Sequence, residues 1–454
     1  MVAEPIPIIT HREPDADAPV APHVPQPSSV EDTGLELSML VDLMLKTIHF
    51  AGRPSGRQLA EQMCLPFPVV EEVIVFLRQE QAIETVGSSG LGEQSYQYAL
   101  TERGRRKAEE AMDRSHYVGP TPVPFQLYID VLKRQSIADI RIDRDTYVNG
   151  LQHLVLGSKV LAALGPAVNS GSSVLIYGKS GNGKSTVTTA IGRMLPGEVF
   201  IPYAVEIHGH IVKVFDPRVH QRANGEPSSD RRVDGSDTSP TGQERRQDKR
   251  WVLSKRPVVS VGGELTLQDL ELRYSTSSKF YIAPLQWKAN SGLLVVDDFG
   301  RQMIQPQELL NRWIVPMEEG MDHLSLHTGD TIELPFDVLL IFSSNIPPGR
   351  LGDEAFFRRI RHKVEMPNPT PDEYFEILRR VCAERGLAYS EETATYLKRT
   401  HYDEPSREMK SCHPRDLVEL LRDITGFFDE EAVVTPEWID LAASSYFVHM
   451  EDDY

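Results

Sequence analysis

Apolar positions recur at helical spacing after a proline-rich start. The stretch LELSMLVDLMLKTIHF begins at Leu35, and SGRQLAEQM follows with Ser55 suited to cap a short helix. A third apolar helix is predicted around 69–79. The segments AIETV and QSYQYAL then alternate around glycine-rich GSSGLGE, which predicts a two-stranded hairpin. TERGRRKAEEAMDR predicts a further helix, with Thr101 as its cap.

This order of elements, over residues 35–117, resembles a winged helix-turn-helix domain. Its charge is unsuited to DNA, because nine Lys and Arg face twelve Asp and Glu. The helix expected to enter the groove carries Glu71 and Glu72 against Arg78, whereas base edges and phosphates call for donors. A basic cluster lies beyond the hairpin: Arg103, Arg105, Arg106 and Lys107. We therefore favour protein docking or packing for this module, with DNA binding as the alternative.

Two segments with less regular spacing of apolar residues flank this module. Residues 1–34 are predicted to be a disordered arm, because seven prolines fall in the first 33 residues and little could form a core. Residues 118–150 are predicted to be a linker with one helix, Gln126 to Gln135. An α/β domain is expected over 151–366 and a helical domain over 367–454.

The most informative stretch is SSVLIYGKSGNGKSTVTTAIGRML, residues 172–195. An apolar strand leads into a glycine-rich loop and a helix. This matches the P-loop motif, G-x-x-x-x-G-K-[S/T], between the strand and the helix that it requires. Such a loop turns backbone N–H groups toward phosphates, the lysine reaches the β- and γ-phosphates, and the serine hydroxyl ligates Mg²⁺. The predicted nucleotide-binding residues are Gly178, Lys179, Ser180, Gly181, Asn182, Gly183, Lys184, Ser185 and Thr186.

Two later strands end in polar residues. SGLLVVDDFG is an apolar run followed by Asp297 and Asp298, and FDVLLIFSSN ends at Asn345. Carboxylates at the carboxyl end of a buried parallel strand lie where ligands bind in α/β proteins. We expect Asp297 to hold Mg²⁺ together with Ser185, and Asp298 to orient or deprotonate the attacking water.

Two arginine-bearing segments follow. DEAFFRRIRHKVEM places Arg358 and Arg359 before a short strand, and CHPRDLVELLRDI places Arg415 in the first turn of a helix. With these segments, residues 145–450 resemble an AAA+ ATPase, in which they would be Walker A, Walker B, sensor 1, arginine finger and sensor 2. The resemblance implies that Asn345 is sensor 1 and positions the lytic water, and that Arg415 is sensor 2.

The same resemblance implies a ring, expected to be a hexamer, since Arg359, or else Arg358, would act as a finger in the site of the neighbouring subunit. It also implies a parallel sheet sandwiched by helices, a C-terminal helical lid, and ATP with Mg²⁺ as cofactors. One departure is Asp298, where the family usually has Glu. Because aspartate is one methylene shorter, its carboxylate is expected to polarise water less well or to require a closer approach, which would slow hydrolysis.

Between the P-loop and Asp297 the chain is longer than such a core needs. EIHGHIVKVFDP predicts a hairpin, and residues 218–256 are predicted to be a flexible insert with ten Lys and Arg against six acids. This insert is either a solvated loop or a loop that grips a substrate or nucleic acid. HLSLHTGDTIEL predicts a second hairpin, turning at 328–330. His208, His210 and His220 lack the partners of a metal site, so no metal beyond Mg²⁺ is predicted.

Composition narrows the classes of function. The chain has 454 residues, a net charge of −18 and three scattered cysteines, which gives neither a disulfide framework nor a zinc quartet. No apolar run is long enough to insert in a membrane, and the first residues lack the order of a signal peptide, so a cytoplasmic location is expected. Remodelling or assembly of a protein client is the favoured function. The alternatives are a DNA-associated AAA+ ATPase and a P-loop kinase, the latter disfavoured by the sensor and lid segments.

Overall fold

The computed structural model describes residues 22–223, 246–351, 357–430 and 433–447. Most of the predicted arm (1–21), the middle of the predicted insert (224–245) and the acidic end (451–454) lie outside these ranges. Within the described ranges, no helix combines the length and the apolar character needed to cross a bilayer.

The α-helices, in chain order, are α1 Leu37–Ala51, α2 Gly56–Met63, α3 Phe67–Gln79, α4 Glu102–Arg114, α5 Phe125–Arg134, α6 Arg144–Leu151, α7 Ser158–Val168, α8 Lys184–Met194, α9 Leu285–Lys288, α10 Pro306–Glu319, α11 Pro348–Leu351, α12 Pro371–Glu384, α13 Glu391–Lys398, α14 His413–Phe427 and α15 Pro436–Tyr446. The strands are β1 Ile83–Ser88, β2 Tyr96–Leu100, β3 Val123–Pro124, β4 Ser173–Tyr177, β5 Glu198–Pro202, β6 Ala204–Ile207, β7 His210–Lys213, β8 Trp251–Lys255, β9 Val258–Val261, β10 Arg273–Ser275, β11 Phe280–Ile282, β12 Gly292–Val296, β13 Met321–Ser325, β14 Thr331–Pro335, β15 Val338–Ser344 and β16 His362–Glu365.

The chain divides into two compact units. The first comprises the described parts of 1–135, 196–256 and 275–281, and the second comprises those of 136–195, 257–274 and 282–454. This division differs from the expected bounds, which placed 196–256 inside the α/β domain 151–366.

Helices α1 to α4 and the hairpin β1–β2 form the N-terminal part of the first unit, in the predicted order of elements. Both predicted caps are confirmed: Ser55 accepts a hydrogen bond from the backbone N–H of Gln58, and Thr101 accepts one from that of Gly104. Leu40, Leu59, Val70 and Leu77 are among the fully buried side chains between these elements. The apolar stripes read from the sequence therefore form a single core.

A second sheet completes the first unit. Strand β6 pairs in parallel with β3 and antiparallel with β7. The predicted hairpin at EIHGHIVKVFDP is confirmed, because β6 and β7 turn at His208 and Gly209, which take φ angles of 49° and 81°. Ala204 and Ile211 of this hairpin belong to the same buried cluster as α1 to α4.

The prediction that residues 1–34 form a disordered arm is wrong for residues 22–34. Val24 is buried, and its carbonyl oxygen accepts a hydrogen bond from Asp248 N at 2.9 Å. Gln26 N donates to Arg246 O at 2.8 Å. Pairing with a distant segment satisfies the backbone of this proline-rich stretch, and local composition could not reveal that partner.

The prediction of a flexible insert over 218–256 is wrong for its described C-terminal part. Strand β8 pairs antiparallel with β5. Arg250 and Asp248 form an ion pair in which both side chains are 1% exposed, and Arg250 Nη1 also donates to Thr33 O at 3.0 Å. Arg256 Nη1 donates to Gln135 O at 3.0 Å. These basic residues serve as buried donors to carboxylate and carbonyl oxygens, and are not exposed to a substrate.

The second unit is built on a parallel sheet of spatial order β16-β4-β15-β12-β9. Every residue of β12 and β15 is buried. Helix α7 contacts β4 and β16, and α8 contacts β12 and β15. The second unit is thus a mixed α/β structure with a parallel sheet flanked by helices, as expected of a P-loop nucleotide-binding core.

The hairpin before β15 is confirmed. Strands β13 and β14 pair antiparallel from Met321↔Pro335 to Ser325↔Thr331. The turn is closed by hydrogen bonds from Leu326 N to Asp330 O at 2.8 Å and from Thr328 Oγ1 to Asp330 Oδ2 at 2.9 Å.

Helices α12 to α15 follow the sheet within the segment 367–454, where a helical domain is expected. Thr370 caps α12 in a reciprocal box with Glu373. Tyr374, Leu378, Leu417 and Ile439 belong to the buried cluster that these helices share.

Candidate functional site

A glycine-rich loop joins the buried strand β4 to helix α8. Gly178 has a φ of 153°, and a Cβ atom there would lie 2.2 Å from the carbonyl oxygen of Met366. Gly183 lies immediately before α8 with a φ of 79°, in the left-handed region. The loop therefore brings the amino end of α8, where the first N–H groups of a helix have no partner within the helix, to the carboxyl end of β4, as in known phosphate sites.

Lys184 is the first residue of α8 and is 6% exposed. Its Nζ donates to the carbonyl oxygens of Gly178 and Lys179, both at 2.9 Å, and to Asn345 Oδ1 at 2.6 Å. Burial lowers the pKa of Lys184, while the nearby carboxylates of Asp298 and Asp297 act to raise it. The ammonium group thus links the P-loop to the end of β15.

The carboxyl ends of β12 and β15 bring the remaining predicted side chains to the loop. Ser185 Oγ donates to Asp297 Oδ2 at 2.7 Å. Asn345 Nδ2 donates to Asp298 Oδ1 at 2.5 Å. Residues from three separate segments are therefore joined by hydrogen bonds at one edge of the sheet, where α/β folds bind ligands.

The turn after β12 holds Asp298 in an unusual conformation. Asp298 has a φ of 49°, in the left-handed region. Phe299 N donates to Ser343 O at 2.7 Å, and Ser344 Oγ donates to Phe299 O at 2.6 Å, which ties the turn to β15. Gln302 contacts the other side of the turn, and no motif in the sequence pointed to it.

The donor chemistry beside the loop fits Mg²⁺. A serine hydroxyl and a carboxylate, Ser185 and Asp297, are the hard oxygen ligands this ion prefers, and in nucleotide sites its other ligands come from phosphates and water. In the described part of the chain, no group of three or more His, Cys, Asp or Glu is placed to hold a metal ion. His220 instead accepts a hydrogen bond at Nδ1 from Asp216 N at 2.9 Å.

The P-loop also contacts residues after β16 that the motif did not indicate. Lys179 forms an ion pair with Glu408, and Asn368 Nδ2 donates to Glu408 Oε2 at 3.2 Å. The hydrogen bond from Lys179, followed by that from Asn368, lowers the pKa of Glu408. Asn182 Nδ2 donates to Asn368 Oδ1 at 2.9 Å. Such partners are distant in sequence, so no local pattern could reveal them.

The amino end of α14 lies at the same loop. Cys412, just before α14, donates its backbone N–H to Gly181 O at 2.8 Å. Arg415 lies on the first turn of this helix and is exposed. Ser180 and Thr186 of the loop are also exposed.

The arginines predicted to form a finger lie at the opposite end of the sheet. The carbonyl oxygen of Arg359 accepts a hydrogen bond at 3.2 Å from Ser173 Oγ, at the first residue of β4. The guanidinium of Arg359 pairs with Glu318 of α10 at 2.5 Å. Arg358 is exposed. The structure therefore separates these arginines from the P-loop of their own chain.

Comparisons with known proteins cover parts of the chain. Residues 370–445, which contain α12 to α15, match the family model described as Domain of unknown function (DUF8689). No curated protein matches the chain.

Solved structures resemble the chain weakly. NtrX from Brucella abortus in complex with ATP is 16% identical, with a TM-score of 0.36 over 75% of this chain and 62% of NtrX. RuvB from Thermotoga maritima, a Holliday junction branch migration motor, is 13% identical, with a TM-score of 0.34 over 67% of this chain and 70% of RuvB. The chain thus spans less than two thirds of NtrX.

Proposed function

We propose that this chain is an ATPase of the AAA+ type that hydrolyses ATP with Mg²⁺. One observation carries the proposal: the P-loop, the end of β12 and the end of β15 place five polar side chains at one edge of the sheet. These are Lys184, Ser185, Asp297, Asp298 and Asn345.

Each side chain has a distinct role in this proposal. The loop N–H groups and Lys184 bind the phosphates and stabilise the charge that develops on the transferred group. Asp298 orients or deprotonates the attacking water, and Asn345 holds the Asp298 carboxylate through the bond at 2.5 Å. Ser185 and Asp297 would hold Mg²⁺, which, when bound, neutralises phosphate charge.

The position of Arg359 supports a ring. It lies at the amino end of the sheet, so it would complete a site only in a neighbouring subunit. A homo-oligomeric ring, with a hexamer as the expected form, follows from the resemblance to AAA+ ATPases. Arg415 would reach the phosphates from the helical lid, since α14 begins beside Gly181.

We assign the first unit to a protein partner rather than to DNA. The surface formed by α3 and the hairpin, where a duplex would lie, carries the carboxyl groups of Glu71 and Glu93. A hydrogen bond between these two groups raises the pKa of Glu71. In the basic cluster, Arg103 and Lys107 both pair with Glu80 at 3.0 Å. Phosphate contacts depend on net positive charge, and the Glu80 carboxylate offsets part of the charge of Arg103 and Lys107. A cytoplasmic ATPase that remodels or assembles a protein client is the role we favour.

The ATPase proposal is tested by steady-state phosphate release from the full chain with and without Mg²⁺. Lys184→Ala should abolish nucleotide binding and turnover, because it removes the cation at the phosphates. Lys159→Ala, an exposed lysine on α7, is the matched control and should behave as wild type. Wild-type protein that releases no phosphate, or a Lys184→Ala variant with normal turnover, would contradict the proposal.

The partner proposal is tested by a salt-dependent titration with duplex DNA, with and without ATP. No binding near physiological salt and no DNA stimulation of the ATPase are expected. Binding whose affinity falls steeply with salt would favour the DNA-associated alternative.

A further inference from the structure

The carboxamide of Gln302 bridges the turn that follows β12. Gln302 Nε2 donates to Asp297 O at 2.9 Å, and its Oε1 accepts from Gly300 N at 2.8 Å. The side chain therefore closes the segment that contains Asp298. A carboxamide is suited to this because it offers a donor and an acceptor on one planar group.

The turn needs such support. Asp298 has a φ of 49°, a conformation that residues other than glycine adopt at a cost unless the surroundings hold it. On the opposite side, Phe299 is held by Ser343 O and by Ser344 Oγ of β15. The turn is thus fixed from both sides, with the Asp298 carboxylate directed to Asn345 Nδ2.

We propose that Gln302 is a positioning residue that fixes the Asp298 carboxylate at the site of water attack. The inference rests on the proposed ATPase function and deepens it. Gln302 contacts backbone atoms of the turn, so its effect on the reaction passes through Asp298. Its loss should lower turnover without weakening nucleotide binding, since Lys184 and the loop are bonded independently of it.

The test compares Gln302→Ala with Gln307→Ala, an exposed glutamine on the first turn of α10. A displacement of about 1 Å in a catalytic group costs about 10²-fold in rate. We expect kcat of Gln302→Ala to fall about 10- to 100-fold on that scale, with KM and ATP affinity within about twofold of wild type. Gln307→Ala should match wild type. An unchanged kcat in Gln302→Ala, beside an active wild type, overturns the inference.

A double-mutant cycle separates positioning from general destabilisation. In the Asp298→Asn background, adding Gln302→Ala should not lower the residual single-turnover rate further, because the two changes remove one function. If the two losses of rate multiply, Gln302 acts independently of Asp298 and the inference is wrong.

A crystal structure of Gln302→Ala gives an outcome independent of turnover. Asp298 should leave its positive φ and lose its bond to Asn345, and retention of both would overturn the inference even if the wild type proved inactive. An inactive wild type with a displaced Asp298 would instead contradict only the proposed ATPase function.

Discussion

The two ends of the parallel sheet differ in what they bring together. At the carboxyl end, Asn345 bonds both Lys184 and Asp298, at 2.6 and 2.5 Å. At the amino end, Arg359 lies beside Ser173 and pairs with Glu318. At about 3.3 Å per residue, the length of β4 separates the two ends by about 13 Å, which exceeds the reach of an arginine side chain.

This difference shows that motifs which follow one another along the sequence need not lie in the same site of one chain. Arg358 and Arg359 follow the P-loop motifs in the order found in AAA+ ATPases, yet they lie at the other edge of the sheet from Lys184. In our proposal the two edges meet only between subunits, one supplying the nucleotide and the other the arginine.

The largest expected effect comes from removing the arginine. Arg359→Ala should lower hydrolysis by about 10³-fold or more, the range for arginine fingers, while ATP affinity stays unchanged. Steady-state turnover and equilibrium binding of a fluorescent ATP analogue measure the two quantities. Arg361→Ala, an exposed arginine at the same edge, is the control. Unchanged turnover would contradict the role of Arg359 as the arginine finger. A loss of turnover in Arg358→Ala instead would assign that role to Arg358.

At the carboxyl edge, Asp298→Asn should lower hydrolysis by about 10²- to 10⁴-fold, because the amide cannot accept the proton of water. ATP should stay bound, so the variant should retain nucleotide through gel filtration. Asp372→Asn, on the exposed first turn of α12, is the control. Turnover at the wild-type rate would contradict the role of Asp298.

Asn345→Ala should have a smaller effect, about 10²-fold on kcat, the typical cost of losing one donor in a preorganised site. The Asp298 carboxylate then loses the bond from Nδ2. ATP affinity should change by only a few-fold, because Lys184 keeps its bonds to Gly178 and Lys179. A large loss of affinity with unchanged kcat would assign Asn345 to binding alone.

The smallest effect is expected for Glu318→Gln. Its ion pair with Arg359 is partly exposed, and such pairs contribute little. Turnover should stay within about threefold of wild type. A loss above tenfold would show that Glu318 places Arg359 for its partner.

Local signals predicted much of the second unit. The P-loop follows from glycines and a lysine at fixed spacing between an apolar strand and a helix, and the turn at 328–330 follows from Gly329 within an alternating pattern. Buried parallel strands are recognisable as apolar runs. The sequence therefore predicts the carboxyl end of the sheet, where Asp297 and Asn345 lie.

Pairings between residues far apart in the chain could not be predicted from the sequence. Val24 and Asp248 are joined across the first unit, and Arg250 is buried where composition predicted a flexible basic insert. Lys179 and Glu408 likewise pair across more than 200 residues of chain. The role of Gln302 could not be predicted from the sequence, because a carboxamide that bonds its own turn has no motif. In each case tertiary packing brings the two partners together, and the local pattern of residue types and spacings does not reveal it.

The central claim is that Arg359 of one subunit acts on the nucleotide bound at Lys184 of the next. Mixing the Lys184→Ala variant with the Arg359→Ala variant tests it directly, with co-assembly checked by a tag on one of them. Each variant alone should be inactive, and the mixture should regain ATP hydrolysis with a maximum near equal amounts. Co-assembled mixtures that remain inactive would contradict the claim.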